Sequence, residues 1–158
     1  MGVNTASAEG PVAAPPDVVY RYLSDMQNHH PHFLPPAFSD FRVVEGGIGE
    51  GTVVTFQFAA GGRRRDFRQT LTEPEPGRRM VETDANSSSV TTFVVDPAEG
   101  GSSSKVTIST QWNGAQGIGG FFERMFAPRV MRGIYADQIR RLDGYARSQA
   151  QPSGPPPS

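Results

Sequence analysis

Two periodicities divide the chain. From residue 38 to residue 113 apolar and polar side chains alternate, the period of strands with one buried and one wet face. The run Thr52-Val-Val-Thr-Phe-Gln-Phe58 sets Val54, Phe56 and Phe58 on one face and Thr55 and Gln57 on the other; Val106, Ile108, Thr110 and Trp112 repeat the pattern. Breaks rich in Gly, Pro, Ser and Asp at 46–51, 61–62, 74–77, 84–89 and 96–104 predict six strands, near 38–45, 52–59, 64–73, 78–84, 89–96 and 105–113. Connections this short predict an antiparallel meander, because parallel strands need long crossovers. After residue 120 the period becomes helical, with Phe121, Phe122, Met125, Phe126, Val130, Met131, Ile134, Tyr135, Ile139, Leu142 and Tyr145 spaced by threes and fours to about Ser148. Pro128 falls inside that pattern and predicts a kink or break near Ala127. Upstream, Ala6 to Ala14 reads as a first strand stopped by Pro15-Pro16. Val18, Val19, Tyr22, Leu23 and Met26 then mark a short helix, and the Pro-rich Gln27 to Pro36 a loop or broken helical turn.

The order strand, short helices, meander, long helix is an α+β pattern in which one helix covers the apolar face of a curved sheet. The opening Pro11-Val-Ala-Ala-Pro-Pro-Asp-Val-Val-Tyr-Arg-Tyr-Leu-Ser-Asp25, the Leu34-Pro-Pro36 segment, the Gly49-Glu-Gly-Thr52 strand entry, Glu73-Pro-Glu-Pro-Gly77 and the proline-interrupted C-terminal helix together resemble the START-like (SRPBCC, Bet v 1-like) superfamily of polyketide cyclase/dehydrase and lipid-transport proteins. That resemblance implies a helix-grip fold: a curved antiparallel sheet of seven strands wrapped around a long kinked C-terminal helix, with two short helices between strands 1 and 2. It implies a single domain over residues 6–148 and an apolar cavity between sheet and helix. It fixes no activity, because carriers, cyclases, receptors and co-chaperone domains share the fold. Residues 149–158 are expected to form a disordered Pro-rich tail, since they hold nothing large and apolar to bury.

Composition narrows the chemistry. The 158 residues include no Cys, which excludes disulfides, thiolate metal sites and a Cys nucleophile. With 15 Lys+Arg against 16 Asp+Glu, and no basic block, there is no electrostatic footprint for nucleic acid. No apolar run reaches the roughly 20 residues of a membrane span, and no signal-peptide pattern opens the chain, so a soluble, cytoplasmic protein is expected. The 18 Gly and 14 Pro fall mostly at the predicted turns. Gly46–Gly51 and Gly114–Gly120 are candidate entrance loops. The latter lacks the Lys-Ser/Thr and the βαβ setting of a phosphate cradle, so no cofactor is expected.

Candidate chemistry is sparse. The three histidines, His29, His30 and His32, fall together; were the segment extended, His30 and His32 would point the same way, as a proton-transfer or two-His metal site requires, though no third ligand is specified and no metal is expected. Arg65 shares strand parity with Phe67 and Gln69, and Tyr135 offers a hydroxyl from the helix. These four, His30, His32, Arg65 and Tyr135, are the candidate catalytic groups. The candidate ligand-binding surface is Phe33, Leu34, Phe56, Phe58, Phe67, Gln69, Phe93 and Trp112 from the loop and strands, and Phe122, Met125, Met131 and Tyr135 from the helix. No Ser/His/Asp grouping or paired carboxylates appear. The leading expectation is therefore binding or carriage of a small hydrophobic or aromatic metabolite, lipid or polyketide-like, in a cavity of at least about 300 Å³. A polyketide cyclase or dehydratase and a protein-interaction module are the alternatives. The ligand's identity, turnover and oligomeric state are not legible.

Overall fold

The computed structural model of the protein describes residues 3–60, 62–113 and 128–150. Seven strands, β1 (Val3–Val12), β2 (Phe38–Glu45), β3 (Val53–Ala60), β4 (Arg63–Glu75), β5 (Arg79–Asp84), β6 (Val90–Ala98) and β7 (Ser103–Asn113), form one sheet in the order β1-β7-β6-β5-β4-β3-β2. Every pairing is antiparallel. The meander of β2 to β7 follows from its short connections, and β1 pairs with β7, so the first and last strands are neighbours.

Helix α1 (Pro16–Ser24) starts on a proline, whose missing N–H and fixed φ suit a first helical turn, with Asp17 beside it. It buries Val19, Tyr20, Tyr22 and Leu23. The second short element expected before β2 is a single 3-10 turn, His30–Phe33. That turn overturns the extended geometry considered for the histidines: His30 is buried against Phe33 while His32 is exposed. The first strand begins earlier than its apolar pattern suggested and ends at Val12, because Ala14 N–H already turns back to the Val12 carbonyl.

Helix α2 (Pro128–Ala150) opens on Pro128 and buries Met131, Tyr135, Gln138, Ile139, Leu142 and Ala146, one stripe at spacings of three and four. Complete burial of a side chain such as Leu142 contributes about 1.5–3 kcal/mol. The helix lies along β1, where Gly10 permits a close approach: a Cβ there would sit 3.1 Å from Ile139 Cγ2. The predicted kink near Ala127, the Gly114–Gly120 loop and the tail beyond Ala150 lie outside the described residues. Gly46–Gly51 does not border the interior cavity; it docks on the end of α1, with Met26 N–H donating to the Gly47 carbonyl (2.8 Å) and Gly49 N–H to Ser24 (3.0 Å).

Candidate functional site

Strand alternation places rows of side chains beneath α2. One row runs Met80, Phe93, Ile108 across β5, β6 and β7 and is wholly apolar and buried. Two residues along each strand, the next row runs Leu71, Glu82, Thr91, Thr110, Ala6 across β4, β5, β6, β7 and β1, and it too is buried. Its polar members face the second turn of α2. The Thr91 and Thr110 hydroxyls are 2.8 Å apart, and Thr110 in turn bonds the Tyr135 hydroxyl.

A cavity opens here between the sheet and α2, roofed at one side by the 3-10 turn. Its wall is aromatic, from Phe38 and Phe41 on β2, Phe56 and Phe58 on β3, Phe67 on β4 and Phe93 on β6, with Leu34 and Met131. His30, Phe41, Phe56 and Phe67 form a ladder of nearly parallel rings, with successive interplanar angles of 11°, 15° and 3°. Against this wall stand the polar groups of Gln69, Glu82, Ser89, Thr91, Tyr135 and Gln138. Unfilled space including the mouth amounts to about 480 Å³, but the rings crowd it, and the part wide enough for solvent is about 30 Å³. That holds roughly two water molecules and is well below the 300 Å³ expected from the sequence; a larger occupant must displace the rings.

Among the described residues three titratable groups line the cavity. Glu82, 7% exposed, has no hydrogen-bond or ion-pair partner among the described residues, and burial pushes its pKa up to about 8. His30 lies 2.8 Å through Nδ1 from the Leu23 carbonyl. A carbonyl only accepts, so Nδ1 carries the proton and Nε2 keeps a lone pair. Burial, opposed by that hydrogen bond, lowers the His30 pKa to about 4, so the ring is neutral. Tyr135 is pushed up to about 12, chiefly by burial and partly by the nearby Glu82 charge, and stays protonated. No described lining residue is Lys or Arg. Chemically the site is a narrow aromatic slot to which the described residues bring one acid, one imidazole acceptor and several amide and hydroxyl groups.

The candidate residues divide accordingly. Leu34, Phe56, Phe58, Phe67, Gln69, Phe93, Met131 and Tyr135 line the cavity, as does His30. Phe33 and Trp112 are buried in the surrounding core without lining it. Phe122 and Met125 lie outside the described residues. His32 instead stacks on Tyr145 at an interplanar angle of 7°, and His29 Nδ1 meets the Tyr145 hydroxyl at 2.7 Å, so both fasten the 3-10 turn to the last turns of α2. Arg65 has the predicted parity but sits nearer the β3–β4 hairpin, where its guanidinium donates to the Asn86 carbonyl. Among the described residues no group of His, Asp and Glu could hold a metal ion, and no helix is long and apolar enough to cross a membrane. Sequence reasoning passed over Glu82, Gln138, Ser89 and Thr91. The signal for Glu82 was present, since it is in phase with the buried Met80 two residues earlier.

Comparison with known proteins agrees with this architecture. An NMR structure of KanY protein superimposes with a TM-score of 0.80 at 36% identity, covering 93% of this chain and 99% of that one. The Zhui aromatase/cyclase from a Streptomyces species gives 0.74 at 16% identity, over 97% and 99% of the two chains. A START superfamily protein from Mycobacterium smegmatis gives 0.72 at 13% identity, over 94% and 100%. No curated protein matches the sequence. Residues 5–147, which hold the sheet except for the first two residues of β1, together with α1 and most of α2, match the family described as polyketide cyclase / dehydrase and lipid transport, and the chain belongs to that family.

Proposed function

We propose that the protein binds a small, largely aromatic or apolar molecule in the cavity between the sheet and α2. The observation that carries this is the placement of an unpartnered carboxyl, Glu82, in an aromatic interior. A lone buried carboxyl destabilises a fold, so a side chain selected for packing alone would be apolar here. The narrow cavity fits this function if ligand entry turns the rings aside; Phe38 and Phe41 at its border are only partly buried, and the unbranched Met131 has several rotamers to take up. Native mass spectrometry of the purified protein, followed by extraction, tests it. An adduct that departs only on denaturation supports binding; a clean unliganded mass together with no extractable aromatic or lipid molecule defeats it.

A second function, cyclisation or dehydration of a polyketide-like chain, draws support from one further observation. Two of the four candidate catalytic groups, His30 and Tyr135, reach the cavity that Glu82 lines, which brings an acid, a neutral imidazole and a phenol to one enclosed space. Incubation with a poly-β-ketone thioester analogue, with products resolved by mass, separates the functions: loss of water from the chain at a rate that falls in Glu82→Gln indicates turnover, and unchanged recovery of the analogue indicates binding alone. The interaction-module alternative has less to rest on. The exposed large apolar residues among those described, Val3, Val44, Ile48 and Val130, belong to four different segments.

A further inference from the structure

Glu82 sits between Leu71 on β4 and Thr91 on β6. Leu71 has no polar atom to offer, and the Thr91 hydroxyl is already bonded to Thr110. Opposite, α2 presents Tyr135, committed to the same Thr110, and the amide of Gln138. His30 shows an equivalent pattern: Nδ1 is bonded to the Leu23 carbonyl, which leaves the Nε2 lone pair unused by the described residues. Both side chains are more than nine-tenths buried, and both line the cavity. Buried polar groups in folded proteins are almost always satisfied. Glu82 and His30 Nε2 are left open here, as are the side chains of Gln69, Ser89 and Gln138 on the same wall, and the space between the rings is the place from which they can be satisfied.

The kind of partner follows from what each atom can do. A carboxylic acid donates one hydrogen bond, and a lone imidazole nitrogen accepts one. Among the described residues the titratable groups that share the cavity with Glu82 are Tyr135 from α2 and His30 from the 3-10 turn, both uncharged at neutral pH, and no lining residue among them supplies a cation. In such an interior the carboxyl is held as its acid, the form that donates to a carbonyl. We propose that Glu82 donates to a carbonyl oxygen of the ligand while His30 Nε2 accepts from a hydroxyl of the same molecule, so that the cavity selects an uncharged aromatic hydroxy-ketone over an amine or a carboxylate. This rests on the ligand-binding function above and assigns the groups that would give it specificity. The nearly parallel rings from His30 to Phe67 suit a planar molecule, which adds to the ladder face to face.

The test uses the full chain and four probes with one aromatic ring each: para-acetylbenzyl alcohol, which has both groups; para-ethylbenzyl alcohol, without the carbonyl; para-methylacetophenone, without the hydroxyl; and para-ethylbenzylamine, a cation. Calorimetric titration below pH 7 is expected to rank the first probe about tenfold or more above the second, the loss that follows when a buried donor goes unpaired, and above the third by a similar factor. Above pH 9 the advantage over the second probe shrinks in the natural protein and persists in Glu82→Gln, whose amide donates without titrating. The direction of the Glu82 titration gives a readout that needs no variant. Followed by carboxyl carbon NMR, its midpoint is expected to rise when para-acetylbenzyl alcohol binds, because a carbonyl favours the acid; a bound amine lowers it. Equal affinity for the first two probes, an identical pH response in Glu82→Gln, or tightest binding of the amine with a lowered midpoint would each overturn the assignment and leave the binding function standing. Failure of every probe to bind the natural protein would also overturn the assignment, and the adduct measurement above then decides the binding function separately.

Discussion

Two adjacent rows of the same sheet face the same helix with opposite chemistry. Met80, Phe93 and Ile108 form a dry floor in which each side chain is 2% exposed or less. One pleat further along, Glu82, Thr91 and Thr110 occupy equivalent inward positions and are almost as deeply buried. Burial therefore does not distinguish the two regions; hydrogen-bond satisfaction does. The apolar row asks nothing of its surroundings beyond shape. The polar row is half satisfied, through the link from Thr91 to Thr110 to Tyr135, and is left open at Glu82. A protein that interrupts its own core in this way retains a place that a ligand can complete.

The apolar row should be the more sensitive to truncation. Ile108→Ala should cost about 2–5 kcal/mol, the range for emptying a fully packed core position, measured as a shift in the urea midpoint at unchanged slope. A loss near zero would mean that the floor is not tightly packed. At Glu82 the sign reverses. Its pKa is raised from 4.5 to about 8 on folding, so the folded state holds a proton that the unfolded chain has already released. Stability from this group is complete below pH 4.5 and is lost as pH rises to about 8, on the order of 1 kcal/mol per pH unit. Glu82→Gln escapes that loss, and its stability relative to the natural protein should grow through that window and then level off. A constant difference would show that the carboxyl is solvated.

His30 runs the other way. With a folded pKa lowered from 6.5 to about 4, it withdraws stability as pH falls through that interval. Between pH 4.5 and 6.5 it opposes Glu82, and the two should largely cancel, so that the decline belonging to Glu82 emerges cleanly only above pH 6.5. His30→Gln should unmask that decline at lower pH in the same denaturation series; an unchanged profile would deny the histidine its buried, neutral state. A smaller effect is expected at Tyr135→Phe, which removes one hydrogen bond but leaves Thr91 and Thr110 bonded to each other: about 0.5–1.5 kcal/mol. At the bottom of the scale, Lys105→Ala, which removes a 3.9 Å pair with Glu9 on the wet face, should leave the urea midpoint within error.

How much of this was legible in the sequence depended on which physical signal carried it. The strands were, because Val54, Phe56 and Phe58, or Val106, Ile108 and Trp112, repeat at the pleat's own period. The helix face through Met131, Tyr135 and Leu142 was legible for the same reason at period 3.6. The polar cavity groups were harder to find, since a single acid within Arg79-Met-Val-Glu-Thr-Asp84 looks like an ordinary wet-face residue until its phase is counted from Met80. His30 and His32 align only if their segment is extended, and spacing sets direction only once backbone geometry is known: a 3-10 turn separates what a strand would align. Arg65 had the right parity and the wrong depth: alternation tells which face a side chain takes, not how far along the strand the cavity extends.

The two outer strands of the sheet bear on a different hazard. An open sheet ends in rows of unpaired backbone groups, the usual template for chain-to-chain aggregation. Here β2 carries register shifts after Ser39 and Val43, with Asp40 at a φ of 53°, so its free edge is broken and charged where it would otherwise run straight. At the opposite end β1 pairs with β7 without a bulge along ten residues, and it is β1 that α2 lies against, with the Ala13 N–H capped by Asp143 at 2.8 Å. The helix that encloses the cavity thus also packs on the regular edge strand and caps its end, and changes that loosen α2 to enlarge the pocket should be expected to trade solubility for capacity.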